Sequence, residues 1–264
     1  MENYINNYDT FDKIVVYDFQ LCRGGIADCI KYFSYALHLC MKHNIKLYYL
    51  KNNIPIEKYL KLKYDKMYIE KETISESIEI KEEDIPNIKS NTYNIVHPLI
   101  FWHTFSYDNL TIPLEEIFDF VDEIKINSKI MLLNNTNDYI SIHLRLGDKY
   151  LETDSNYIQC ITDERSFDEE KLFHFIENKD KNKNIVFFCD NNNYKLKIKN
   201  KYNNIIITNC NIGHTSLYNT TDNQVLDTIT EFYLLANSKE IYKTSYSGFP
   251  VIASKFKNIP LYEI

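Results

Sequence analysis

The sequence predicts an α/β protein made of two successive halves, and two observations carry that prediction. Residues 13–50 read as strand, glycine turn, amphipathic helix and strand, and the same alternation restarts after a break near residues 125–138. The length, 264 residues with 44% hydrophobic and 25% charged, suits one large domain or two small ones, either able to bury a core.

The first strand is "KIVVYDF", residues 13–19. Gly24 and Gly25 follow, and then "IADCIKYFSYALHLCMKH", where Ile26, Ile30, Phe33, Leu37 and Met41 recur at helical spacing. "IKLYYL" is the next strand. Residues 51–112 include the acidic stretch "EKETISESIEIKEEDIPNIK", a solvated surface segment. "LEEIFDFVDEI" after Pro113 predicts a short amphipathic helix. "YISIHLRL" begins the second series as a strand. "FDEEKLFHFIENK" is a helix that Asp168 or Ser166 caps, "NIVFFCD" a strand, "YKLKIKNKY" a short helix and "NIIIT" a strand. "NQVLDTITEFYLLANS" is a helix, "EIYKTS" a strand, and "GFPVIASKF" begins a last helix. The expectation is two Rossmann-like halves facing across a cleft, residues 1–130 and 131–264.

Composition narrows the function. A formal net charge of −7 argues against a nucleic-acid partner, which would want a basic face. No apolar run approaches the roughly 20 residues that span a membrane. The opening "MENYINNYDTFDK" is polar and acidic, unlike a signal or transit peptide. The six cysteines, Cys22, Cys29, Cys40, Cys160, Cys189 and Cys210, form no C-x-x-C pair, and several lie in apolar segments. A cytoplasmic, reducing setting is expected. The sequons at Asn109, Asn134 and Asn219 are then chance matches in an Asn-rich chain.

Chemistry-bearing residues gather at strand ends, where open α/β sheets bind ligands. Arg145, Gly147 and Asp148 close one strand, which also carries His143; Asp190 closes another; Thr244, Ser245, Tyr246, Ser247 and Gly248 follow a third. Gly24 and Gly25 follow the first strand. Singly, each has a structural reading: a hydrogen-bonded core histidine, an Arg145–Asp148 ion pair, turn residues, a tight strand–helix connection. Together they describe a ligand site. Arg145 offers a planar fork of donors to phosphate oxygens, and hydroxyls with glycine-exposed amides before a helix offer a second phosphate surface. A carboxylate such as Asp190 accepts two adjacent N–H donors, which guanine presents and adenine does not. No Asp-x-Asp occurs, the pair that commonly holds a cation on a diphosphate, so no metal cofactor is expected. No Walker lysine, H-E-x-x-H or G-x-S-x-G appears either.

"SIHLRLGDKY" resembles the H-x-R-x-G-D segment of α-1,2-fucosyltransferases and the H-x-R segment of α-1,6- and protein O-fucosyltransferases. "IVFFCDNNNYKLKIKNKYNNIIIT" and "VLDTITEFYLLANSKEIYKTSYSGFPVIASKF" resemble their other two donor-site motifs, in the same order. The resemblance covers about residues 138–256, and in the first half only "GGIADCIKYFSYAL". There many relatives end G-x-G-N-Q, where this chain has Ala27, Asp28 and Cys29. It implies a GT-B architecture and an inverting, metal-independent transfer of fucose from GDP-fucose to a glycan or protein hydroxyl. By the same resemblance Arg145 stabilises the β-phosphate, Asp190 contacts guanine, and Ser247 with Gly248 holds the pyrophosphate. The first half would take the acceptor, a glycan or glycoprotein. Asp28 is the leading candidate base, or else a helix cap. His214 in "NIGHTS" and Asp148 are further candidates, and Asp148 also suits orienting Arg145 or His143. Two alternatives stay open: another GDP-sugar donor such as GDP-mannose, and an inactive nucleotide-sugar or glycan-binding protein.

Overall fold

The computed structural model describes residues 1–19, 24–132, 138–152, 160–179, 183–215 and 217–264. The chain divides into two units, Met1–Asp119 and Phe120–Ile264.

In the first unit a short helix α1 (Glu2–Asn7) leads to β1 (Ile14–Tyr17), whose Val15, Val16 and Tyr17 are buried. The central position of β1 explains that run, since a parallel strand covered on both faces needs no polar side. Helix α2 (Ile26–His43) buries Ile26, Ile30, Phe33 and Leu37, the stripe its spacing predicts, and ends at Asn44 in the left-handed conformation, φ 55°. Strands β2 (Lys46–Leu50), β3 (Leu60–Leu62), β4 (Tyr68–Ile69), β5 (Ser77–Glu79) and β6 (Tyr93–Val96) follow. The main sheet is parallel in the order β4-β2-β1-β6-β5. The acidic stretch is therefore more than a solvated segment. It supplies edge strand β5, all three residues of which are exposed, and it buries Ile85.

The segment after Pro113 departs from the expected helix. Leu114–Glu116 make one 3-10 turn, and β7 (Phe118–Phe120) pairs with β3. Phe118 and Phe120 point inward around an exposed Asp119, so the period is two, not 3.6. The helix starts later, as α3 (Asp122–Met131), and packs on the later helix Asp222–Leu235 of the second unit, where Asn127 Nδ2 donates to Thr230 Oγ1 at 3.0 Å. All of α3 lies after the chain's dividing point, although residues up to 130 read as the first half.

The second unit continues with β8 (Ile140–Leu144), α4 (Glu169–Asn178), β9 (Ile185–Cys189), α5 (Asn192–Lys201) and β10 (Ile205–Ile207). Then come α6 (Asp222–Leu235), β11 (Ile241–Lys243), α7 (Gly248–Phe256) and β12 (Leu261–Glu263). Asp168 caps α4, accepting the Lys171 amide at 3.0 Å, and Asn191 caps α5, accepting that of Tyr194 at 2.8 Å. The strands of β8 and β9 are buried throughout; Ile140, Ile142, Leu144, Ile185 and Phe187 pack against Leu172, Ile176 and Ile198 of α4 and α5. Burying each such side chain contributes roughly 1.5–3 kcal/mol.

All pairings are parallel, in the order β10-β9-β8-β11-β12. The chain therefore builds outward from β8 to β10, returns, and builds outward again from β11. Between β8 and β11 lies the switch point, where connections leave in opposite directions and open a crevice at the carboxyl ends. Among the described residues the cysteines are free, Cys160 exposed and Cys29, Cys40, Cys189 and Cys210 buried. Cys22 and Asn134 lie outside the described residues. No helix among the described residues is long and apolar enough to cross a membrane.

Candidate functional site

Arg145 leaves the end of β8 at the switch point, and the β11 turn meets it there. The Arg145 amide donates to Ser245 Oγ at 2.9 Å, and that hydroxyl donates to the Arg145 carbonyl, also at 2.9 Å. Next to it the Thr244 amide donates to the His143 carbonyl at 3.1 Å. Thr244 and Ser245 are buried, so their hydroxyls stitch the two strand ends together instead of facing outward. Tyr246 is 76% exposed, with the Arg165 guanidinium 5.9 Å from its ring centroid. Ser247 caps α7, accepting the Phe249 amide at 3.3 Å, and Gly248 is the helix's first residue. The amino end of α7 thus opens beside Arg145, with its partial positive charge.

The guanidinium of Arg145 stands among three carboxylates. It donates to Asp148 Oδ1, while Asp190 Oδ2 lies 3.4 Å from Nε and Asp163 Oδ2 lies 3.8 Å from NH2. The structural ion pair with Asp148 is real, and it is one strand of a larger network. Asp148 Oδ2 holds His214 Nε2 at 2.9 Å and accepts the Cys160 amide at 3.2 Å. Burial alone would raise the Asp148 carboxyl, but the His214 hydrogen bond and the nearby positive charges outweigh it and hold the group below its ordinary range.

Asp190 has a part within the chain as well. Both of its oxygens accept backbone amides, Leu146 at 2.8 Å and Gly147 at 2.9 Å. Gly147 at this turn has a φ of 108°, which favours glycine. A Cβ there would sit 2.4 Å from the Asp163 carbonyl oxygen, so the close approach of the 160–165 loop also requires glycine.

His143 lies against α7. Its ring stacks on Phe249 of α7, centroids 5.5 Å apart, and Nδ1 is buried without a hydrogen-bond partner. Burial first, and then the Arg145 charge, lower its pKa to about 3, so the imidazole is neutral.

The remaining candidates lie in the first unit. Gly25 is the N-cap of α2, and Asp28 stands in the first turn. Its carboxylate pairs with Lys31 at 2.5 Å and lies over Gly24, where a Cβ would come within 2.2 Å of Oδ2. Gly24 therefore makes room for this carboxylate.

Asp163 and Arg165 join the network without having been picked out of the sequence. Asp163 accepts the Asp148 amide at 3.2 Å and pairs with Arg165 at 2.6 Å. The one signal was the charged run Asp163-Glu164-Arg165 inside a polar loop, which by itself reads as solvated surface.

No protein-family model matches the chain, and no curated protein sequence matches it. Solved structures do. NodZ alpha-1,6-fucosyltransferase of Bradyrhizobium, co-crystallised with GDP, aligns at TM-score 0.59 and 10% identity, over 92% of this chain and 91% of that one. A variant of Arabidopsis thaliana FUT1 in complex with GDP aligns at 0.54 and 11% identity, over 99% and 74%. POFUT1 in complex with GDP aligns at 0.50 and 8% identity, over 96% and 99%. At these identities the likeness speaks to architecture: the chain has the two-unit, GT-B-like α/β fold of these fucosyltransferases.

Proposed function

We propose that the protein is a glycosyltransferase that moves fucose from GDP-fucose to a hydroxyl of a glycan or glycoprotein, with inversion and without a metal. One observation carries the reading. The β8 and β11 loops converge at the switch point, bringing Arg145, Tyr246, Ser247 and the amino end of α7 to one edge. The fold shared with three fucosyltransferases solved with GDP supports a GDP-sugar in that position.

In this reading the diphosphate lies over the α7 amides and Arg145. Charge building on the leaving phosphate is met by groups already in place, which is how a preorganised site lowers a barrier. Asp190 contributes by fixing the turn from which Arg145 projects. Asp28, paired with Lys31, is the candidate base for the acceptor hydroxyl.

Calorimetry with GDP, UDP and ADP tests the donor. GDP is expected to bind in the micromolar range and the others far more weakly; equal affinity for all three would sink the reading. GDP-fucose should then be hydrolysed slowly without acceptor, with or without EDTA. Binding with no hydrolysis indicates a sugar-nucleotide-binding protein, and loss of activity in EDTA overturns metal independence. On an acceptor identified by glycan array, Asp28→Asn should cut transfer about a hundredfold and leave GDP affinity unchanged. Near-normal transfer excludes Asp28 as base.

A further inference from the structure

The charge around Arg145 does not suit an anion by itself. Three carboxylates, Asp148, Asp163 and Asp190, face the guanidiniums of Arg145 and Arg165, so this side-chain group is negative by one charge. A diphosphate arriving here needs more positive charge than the network holds. Imidazole is the side chain that gains charge near neutral pH. Of the two histidines at this sheet edge, His143 is kept neutral by burial. His214 is different.

His214 is held from two directions. Through Nε2 it meets Asp148, whose other oxygen is taken by Arg145. From behind, its neighbour Gly213 is fixed to α6: the Gly213 amide donates to Thr228 Oγ1 at 3.0 Å, and Thr228 Oγ1 contacts the Gly213 carbonyl at 3.2 Å. A carboxylate on one nitrogen orients an imidazole and favours its protonated form, leaving the second nitrogen for chemistry. One buried carboxylate therefore binds a guanidinium and an imidazole to the same place.

We infer that His214 takes up a proton as the donor's diphosphate binds and, as imidazolium, donates from Nδ1 to a phosphate oxygen beside Arg145. The inference rests on the GDP-sugar reading and gives that site a second cation. During transfer the bond from the sugar carbon to the phosphate oxygen breaks, and its electron pair goes to that oxygen. The Nδ1–H hydrogen bond strengthens there without a net proton transfer. The acceptor oxygen bonds the sugar carbon and gives its proton to a base. The charged group that meets His214 is Asp148, which links it to Arg145 and through that to Asp163, Arg165 and Asp190; Asp227 of α6 accepts the Asn211 amide at 3.0 Å.

The test is calorimetry with GDP at about pH 7.5, in two buffers of different ionisation enthalpy, on the wild type and on His214→Asn. The wild type should take up about half a proton more per GDP bound than the variant. That difference cancels the titration of GDP itself. Wild-type affinity should also weaken about tenfold as pH rises by two units, while the variant stays nearly flat. Equal proton uptake in the two proteins overturns the role of His214 and leaves the donor reading standing. If neither protein binds GDP, the donor reading fails and this inference fails with it. Should His214→Asn not fold, the imidazole carbon-bound proton resonance of the wild type gives the answer. GDP should move it toward the imidazolium position, and an unmoved resonance overturns the inference.

Discussion

A guanidinium at the end of a core strand is costly unless its donors are met, and Arg145 has carboxylates on several sides. The planar fork explains why a lysine cannot stand in: one ammonium reaches one of these partners, not several. Arg145→Lys is therefore expected to fold, yet to lose about a hundredfold in turnover on GDP-fucose. A melting curve beside the kinetics separates the two effects, and a folded variant with retained turnover would make Arg145 structural. His143 leads to a different measurement. In the unfolded chain its imidazole protonates below about pH 6.5, whereas in the folded protein it resists until about 3. Its contribution is complete above about pH 6.5 and is lost as pH falls toward 3, on the order of 5 kcal/mol in all. His143→Phe keeps a ring against Phe249 and should flatten the acid limb of a plot of Tm against pH. An unchanged limb would mean that His143 does not control it.

At the level of elements, the turn at Gly147 connects β8 to the site. Its φ of 108° and the Asp163 oxygen, 2.4 Å from where a Cβ would be, leave no room for alanine. Gly147→Ala should cost about 2 kcal/mol or more, lowering Tm by at least about 4 °C. It should also weaken GDP binding, because the amides that Asp190 holds would turn away. A variant with normal Tm and affinity would refute this account. The same turn marks a limit of sequence reading. Strands β8 and β9 and helices α4 to α7 were legible because long apolar runs and Asp, Asn and Ser caps leave marks along the chain. Strand β5 was not, since three exposed residues carry no alternation. β7 was hidden among Ile117, Val121 and Ile124, which imitate a helical stripe. At the site, the gathering of Arg145, Asp148, Asp190 and the 244–248 turn followed from strand ends alone. That Asp190 accepts amides of the turn, and that Asp163 and Arg165 reach it from a separate loop packed on Gly147, leaves no mark of spacing along the chain.

On the scale of the whole molecule, each unit has its own parallel sheet and core, so each can respond to a ligand separately. In the proposed reading, the donor residues at the switch point come from Phe120–Ile264: Arg145 and Asp148 after β8, Asp190 after β9, His214 after β10, and the 244–248 turn after β11. A ligand held there stabilises that unit by mass action, and at a hundred times its Kd the gain is about 2.7 kcal/mol. Amides that exchange only when this unit opens should then slow about a hundredfold. Hydrogen exchange read by mass spectrometry can resolve the pattern. With GDP, peptides over β8, β9, the 145–150 turn and the start of α7 should be protected. Peptides over β1, β2 and α2 should change little, because GDP alone offers nothing to the acceptor residues. Protection confined to the first unit would move the nucleotide site there, detaching it from Arg145. Equal protection of both sheets would instead mean that the two units open as one, and binding in the second would then have to stabilise the first through the chain that joins them.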